Sequence, residues 1–196
     1  LPLAKNPEFP PLDPKRDFFL LSHLHWDHVG GTLDFPKIPV KVLEAERAFA
    51  LDTARSEPHG VHPHHLAALG ERLQGLRLLD KPYENFPQSL DLFGDQSIVL
   101  VALDGHTPGS LGVFVNVSGG DRFLFVGDAL WFVDAEGRPE ARSRVAEWTS
   151  DLDKHRARIT RQRLAELIAH SNEVTLVPIH DSKALEKVRA AMQKTL

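Results

Sequence analysis

The stretch Ser22-His23-Leu24-His25-Trp26-Asp27-His28-Val29-Gly30-Gly31 decides the reading of this chain. It packs the imidazoles of His23, His25 and His28 and the carboxylate of Asp27 into one short segment. The spacing says what backbone they need. On a helix, positions i and i+2 point about 200° apart and cannot share an ion, whereas on an extended segment they share a face. His23, His25 and Asp27 are therefore expected to point the same way from a strand end, with a turn at His28 and a sharp exit through Gly30-Gly31. Imidazole and carboxylate without thiolate suit Zn²⁺, with Fe, Mn and Co as alternatives.

Outward from that motif, the apolar run at residues 17–21 has the pattern of a strand buried on both faces. Pro2, Pro7, Pro10, Pro11 and Pro14 crowd the segment before it, so residues 1–16 read as an extended arm. Residues 38–43 read as a strand, 44–55 as helix, 56–65 as loop and 66–76 as a short helix. The loop holds a second histidine group, His59, His62, His64 and His65. Its first reading is a solvated loop, with a pocket rim or an adventitious metal site as the alternative. Strand patterns return at 97–103, 111–117 and 122–126, with Gly119-Gly120 turning the last two into a hairpin. Ala157, Thr160, Leu164, Leu167 and Ile168 recur at helical spacing within 150–171, where Thr149, Ser150 and Asp151 are cap candidates. A strand at 174–179 precedes a helix from about Ser182, with Ala184, Leu185, Val188, Ala191 and Met192 on one face.

Composition narrows the class. The chain has 196 residues, 42% hydrophobic and 26% charged, with a net charge of −4. That is an ordinary globular composition, of a length that suits one domain over residues 1–196. No apolar run approaches the roughly 20 residues that span a bilayer. The acidic balance gives no electrostatic footprint for nucleic acid or an anionic membrane, so neither is expected as a partner. Cysteine is absent, which removes disulfides, thiolate metal sites and cysteine nucleophiles together. The chain is expected to be cytoplasmic.

Three further groups fall at strand ends beside turn signals. His106 lies in Asp104-Gly105-His106-Thr107-Pro108-Gly109-Ser110, Asp128 follows Gly127, and His180 follows Val177-Pro178-Ile179. Singly, each reads as a turn or cap residue. Together with the first motif they would complete a two-metal site. Trp26, Trp131 and Phe132 flank these positions and are candidates to wall a substrate cleft, against plain core packing. Asp181 reads first as a cap for the final helix, and second as a residue orienting a ligand.

This constellation resembles the metallo-β-lactamase superfamily, from Phe18 to His180. The family pattern is H-x-H-x-D-H, a distant His, a bridging Asp after Gly and a final His, and all stand here in order. The resemblance implies an α/β fold, a four-layer αβ/βα sandwich. It places His23, His25 and His106 on one divalent metal ion and Asp27, His28 and His180 on a second, with Asp128 bridging. It also implies a hydroxide between the metals that attacks a carbonyl or phosphoryl centre, with Asp27 or Asp128 relaying the proton. The β-lactamases of the family use a cysteine ligand or lack the bridging Asp. The flavodiiron branch replaces the second His by Glu. Neither pattern is present, and GHTPGSLG (105–112) with PIHD (178–181) is most similar to the small lactonases that open N-acyl homoserine lactones. The expected function is thus hydrolysis of a small-molecule ester, lactone or thioester. Alternatives on the same scaffold are a phosphodiesterase, a sulfur-chemistry enzyme or a non-catalytic metal-binding relic. Those lactonases place a tyrosine beside the metals, and the sole tyrosine here is Tyr83. In the family several strands normally precede the motif. Here the expectation is that the N-terminal part of the first sheet is missing, its edge covered by a homo-oligomeric partner or by a segment of a longer protein.

Overall fold

A computed structural model describes residues 11–171 and 173–195. The chain divides into two compact units, one up to Arg77 and one from Leu78 onward.

The first unit runs β1 (Phe19–Leu20), α1 (Trp26–Val29), β2 (Val40–Leu43), α2 (Glu44–Leu51), α3 (Thr53–Ser56), α4 (Pro63–Leu69) and β3 (Leu73–Leu76). Its sheet has the order β1-β2-β3 and both pairings are parallel. Parallel neighbours need a crossover, which α2, α3 and α4 provide between β2 and β3. Val40 and Val42 of the central strand are fully buried, as β-branched residues in a parallel sheet tend to be. Among the described residues β1 pairs with β2 alone. Residues 1–10 of the expected arm lie outside the described residues, and Pro14–Arg16 form a turn rather than an extended segment. That turn is held by Asp17, whose carboxylate accepts the Asp13 backbone N–H at 2.8 Å.

Two expectations for this unit need correction. The helix expected over 66–76 stops at Leu69, and Leu73–Leu76 is instead the third strand. Gly75 lets β3 pass close to α2: a Cβ there would stand 3.1 Å from the Glu44 Cα and would push the Glu44 carboxylate aside. The histidine-rich loop is also partly helical. Pro63 opens α4 at its first position, which places His64 and His65 inside the helix and His62 as its cap.

The second unit runs β4 (Ser89–Asp91), β5 (Ile98–Ala102), β6 (Leu111–Asn116), β7 (Arg122–Gly127), α5 (Arg144–Ser150), α6 (Lys154–His170), β8 (Val174–Pro178) and α7 (Ser182–Thr195). Its sheet has the order β4-β5-β6-β7-β8, antiparallel up to β7 and parallel between β7 and β8. The period-2 alternation of strands sorts the core. Leu124, Val126 and Leu176 face a cluster completed by Leu164 and Leu167 of α6. Phe123 and Val177 face the opposite cluster, completed by Ala184 and Val188 of α7. The side chain of Met192, expected on that face of α7, lies outside the described residues.

The cap expected at 149–151 is also corrected. Residues 144–150 are a separate helix, and α6 begins at Lys154, with Asp153 accepting the Arg156 N–H at 3.0 Å. Asp181 caps α7 as expected, accepting the N–H groups of Lys183 at 3.0 Å and Ala184 at 3.2 Å.

Leu164 is fully buried while Ile159, on the same helix, is 43% exposed. Leu164→Ala should therefore cost about 2–5 kcal/mol, and Ile159→Ala within about 0.5 kcal/mol. Denaturant unfolding checks this, and an unchanged midpoint for Leu164→Ala would contradict the packing of α6.

Candidate metal centre

In the first unit, β1 delivers the chain into the histidine motif. His25 is still extended (φ −65°, ψ 154°) and α1 begins at Trp26. The turn thus comes at Trp26, not at His28 as the spacing suggested, and Asp27 sits inside the helix rather than on the extended face. The imidazoles nevertheless crowd together. Ring centroids of His23 and His25 are 4.4 Å apart, and those of His23 and His28 are 4.1 Å apart. His28 Nε2 lies 3.7 Å from an Asp27 oxygen. Ser22 Oγ stands 3.1 Å from His23 Nδ1 and 3.4 Å from His28 Nδ1. A buried carboxylate supports the loop: Glu46 of α2 accepts the Leu24 N–H at 2.9 Å. A charge-assisted bond of this kind contributes on the order of 1.5–3 kcal/mol. Behind His25, the Gly60 carbonyl accepts the Trp26 N–H at 3.1 Å.

In the second unit, topology gathers the other candidates. β5 and β7 are each antiparallel to β6, hence parallel to each other, and β8 is parallel to β7. All three strands end at the same edge of the sheet, and His106, Asp128 and His180 follow those ends. Asp128 stands between the two histidines, with one oxygen 3.7 Å from His106 Nε2 and the other 3.3 Å from His180 Nε2. His106 and Asp128 are buried, while the His180 side chain is 44% exposed.

The His106 turn is held by the start of α6. Gly105 has φ +132°, and a Cβ there would fall 2.2 Å from the Ala157 backbone nitrogen, so the position accepts only glycine. Asp153 and Leu152 donate their N–H groups to the carbonyls of Gly105 and His106, at 2.9 and 3.2 Å. Arg156 binds the Asp104 carboxylate at 2.6 Å, and Thr160 donates to its carbonyl at 2.8 Å.

Sequence reasoning missed what lies behind His106. Asp151, its side chain fully buried, has Oδ1 3.5 Å from His106 Nδ1 and 3.2 Å from Arg142 Nη1. Its Oδ2 accepts from Arg161 Nη1 at 2.8 Å. Arg142 also donates from Nη2 to the Asp128 carbonyl, and Arg161 pairs with Glu147 at 3.0 Å. Burial alone would raise the Asp151 pKa, but contacts with His106 and Arg161 and the charges of Arg161 and Arg142 outweigh it and hold it below its ordinary value. No local sequence signal separates these residues from a solvated charged face.

Trp131 and Phe132 are not core residues. Trp131 lies under the Arg142 guanidinium, 4.2 Å from ring centroid to Cζ. With the 48% exposed Phe132, and with Glu140, Ala141 and Ser143, it lines a cavity of about 200 Å³. Trp26 is 55% exposed. Tyr83 is structural: its hydroxyl accepts from Asn116 at 2.9 Å and Arg122 at 3.1 Å, and its ring packs on Phe114. His62, His64 and His65 cluster with centroids 4.1 to 5.6 Å apart, but His62 and His64 stack at 22°, presenting ring faces rather than nitrogens to each other.

The donor chemistry of both units fits divalent metal ions: imidazoles and carboxylates, with no thiolate in the chain. The sequence pattern described as "Metallo-beta-lactamase superfamily" matches residues 17–175. Probable metallo-hydrolases of Mycobacterium bovis and Mycobacterium tuberculosis are each 28% identical over 190 residues, covering 87% of this chain and 56% of theirs. The chain thus spans little more than half the length of those curated relatives. Among solved structures, the AiiA protein of B. thuringiensis, with N-decanoyl-L-homoserine at its active site, is 22% identical with a TM-score of 0.58. An N-acyl homoserine lactone hydrolase holding N-hexanoyl-L-homoserine at its catalytic metal centre is 21% identical, also at 0.58. Both likenesses cover 90% of this chain and 60% of the other. At these identities they show a shared fold. No helix among the described residues is long and apolar enough to cross a membrane. With the family pattern running from Asp17 through both units to Thr175, and the fold shared across nine-tenths of its length, the chain belongs to the metallo-beta-lactamase superfamily.

Proposed function

We propose that the two units act as one metallo-β-lactamase-like domain, with a dinuclear metal centre that hydrolyses an ester, lactone or thioester. The observation that carries this reading is Asp128, a buried carboxylate that offers one oxygen toward His106 and the other toward His180. That is the posture of a group shared by two cations. In this reading His23, His25 and His106 hold one ion, Asp27, His28 and His180 hold the other, and Asp128 bridges them. Zn²⁺ suits the donor set best. Bound there, such ions supply Lewis acidity and bring the pKa of coordinated water toward neutrality.

The chain's own residues do the rest. Hydrolysis of an ester adds water oxygen to the carbonyl carbon, breaks the C–O bond and moves a proton to the departing alkoxide. Asp27 and Asp128 are the carboxylates proposed to carry that proton. Trp131 and Phe132, beside the cavity they line, and the exposed Trp26 are proposed to hold the apolar part of a small-molecule substrate. The two homoserine-bound neighbours, with the GHTPGSLG and PIHD segments, support a lactone of the N-acyl homoserine type as the substrate class.

The metal-replete chain should hold two divalent ions, and chelation should abolish hydrolysis of a lactone and ester panel. Turnover of a phosphodiester alone from that panel would overturn the ester reading, and a single tightly held ion would overturn the dinuclear one. Replacing Asp128 by Asn keeps its shape but removes the charge that both cations require. Its kcat should fall by roughly 100-fold or more, with little change in the unfolding midpoint of the metal-free protein. Full activity in metal-replete Asp128→Asn would rule out the bridging role.

A further inference from the structure

The two nitrogens of His106 face different carboxylates, Asp128 from Nε2 at 3.7 Å and Asp151 from Nδ1 at 3.5 Å. Only 4% of that side chain is exposed, so the identity of the group behind the ring matters. A neutral imidazole has one N–H and one lone pair, and whichever nitrogen binds a cation must be the one without the proton. We propose that Asp151 is the positioning residue of the centre. It accepts the proton of His106 Nδ1, fixes the tautomer that leaves the Nε2 lone pair for metal, and sets the ring's orientation. The inference rests on the dinuclear reading given above, to which it adds residues that the family pattern does not supply.

The surroundings of Asp151 fit this role. Arg161 grips Oδ2 at 2.8 Å and Arg142 approaches Oδ1 at 3.2 Å, so the carboxylate is oriented by groups on both its oxygens. Its neighbour Leu152 holds the His106 carbonyl at 3.2 Å, so one short segment clamps both the backbone and the ring of the same histidine. Arg142 reaches further, to the Asp128 carbonyl. It thereby ties the support of one ligand to the backbone of another. As a device for stability alone the cluster would be a poor one, because buried ion pairs of this kind are often no better than apolar packing of equal volume. The Nδ1–Oδ1 separation, 3.5 Å, is long for a hydrogen bond. Contacts of this type often tighten only when a site is loaded.

The test uses the full chain loaded with Zn²⁺ or Co²⁺, with competition against a chelator and the visible Co²⁺ spectrum as readouts. Asp151→Asn should weaken retention of one of the two ions by about 10- to 100-fold, the usual effect of removing a group that orients a metal ligand, and should change the Co²⁺ bands. Because Asp151→Asn also leaves two guanidiniums without their carboxylate, Asp151→Asn/Arg161→Gln is the companion, removing one charge of each sign. It should recover thermal stability in the metal-free protein while metal retention stays weak. Recovery of metal affinity along with stability would reduce Asp151 to charge balance and overturn the proposal. Unchanged affinity and spectrum in Asp151→Asn would do the same. His106→Ala separates the two levels. If it loses metal while Asp151→Asn does not, the positioning role alone falls. If it keeps both ions as tightly as the parent, the assigned centre falls, and the positioning role with it.

Discussion

β7 and β8 run side by side in parallel, with Gly127 opposite Pro178, and the gathering of the second unit's candidate ligands depends on that pairing. Adjacent strands lie about 4.8 Å apart. Residues one or two steps beyond the ends of parallel neighbours are therefore delivered to nearly the same place, whereas antiparallel neighbours would send them to opposite edges. Asp128 and His180 are such residues. β5 joins them because β6 returns the chain between it and β7, restoring its direction. Open α/β sheets in general place ligands beyond the carboxyl ends of their strands, and here the rule is met by the His-Asp-His series of one sheet.

Much of this was legible because its signals are chemically restrictive. A two-residue spacing of histidines has few uses outside an extended segment, and His106, Asp128 and His180 each follow an apolar run of strand composition. What was not legible falls into two kinds. β3 was hidden because Leu73-Gln74-Gly75-Leu76 is short and follows a helix without a clear break, and only its pairing with β2 decides its state. Glu46, Arg142, Asp151 and Arg161 were hidden because a polar residue on a helix or loop carries no local mark of burial. Asp151 even stood in a plausible capping position. The cap moved to Asp153, and Asp151 turned inward to the two arginines.

The two histidine groups of the first unit show how little composition decides by itself. His62, His64 and His65 are as dense in imidazole as the motif that begins at His23. Their backbone, however, is the start of a helix, His62 and His64 meet ring face to ring face, and burial together with repulsion from His64 and His62 lowers the His65 pKa. At His23 to His28 the chain passes from extended to helical within the motif. Ser22 stands close to two of the rings, and Asp27 adds a negative charge at the mouth. The two groups thus differ in backbone and in neighbours, and among the described residues only the first holds a carboxylate amid its imidazoles.

Each unit therefore builds its own donors on its own support. In the first, Glu46 takes the Leu24 amide and fixes the backbone between His23 and His25. In the second, Asp151, Arg142 and the backbone of Leu152 fix His106 and the loop carrying Asp128. The supports differ in kind, since in the first a serine hydroxyl stands beside two imidazole nitrogens and in the second a carboxylate stands beside one. That difference has a chemical consequence. A hydroxyl can donate to an imidazole nitrogen or accept from it and leaves the tautomer open, whereas an ionised carboxylate only accepts and so favours the ring with its proton on Nδ1. The most buried histidine of the second unit is the one that stands beside such a carboxylate, whereas the His180 side chain, 44% exposed, faces Asp128 from Nε2 at 3.3 Å.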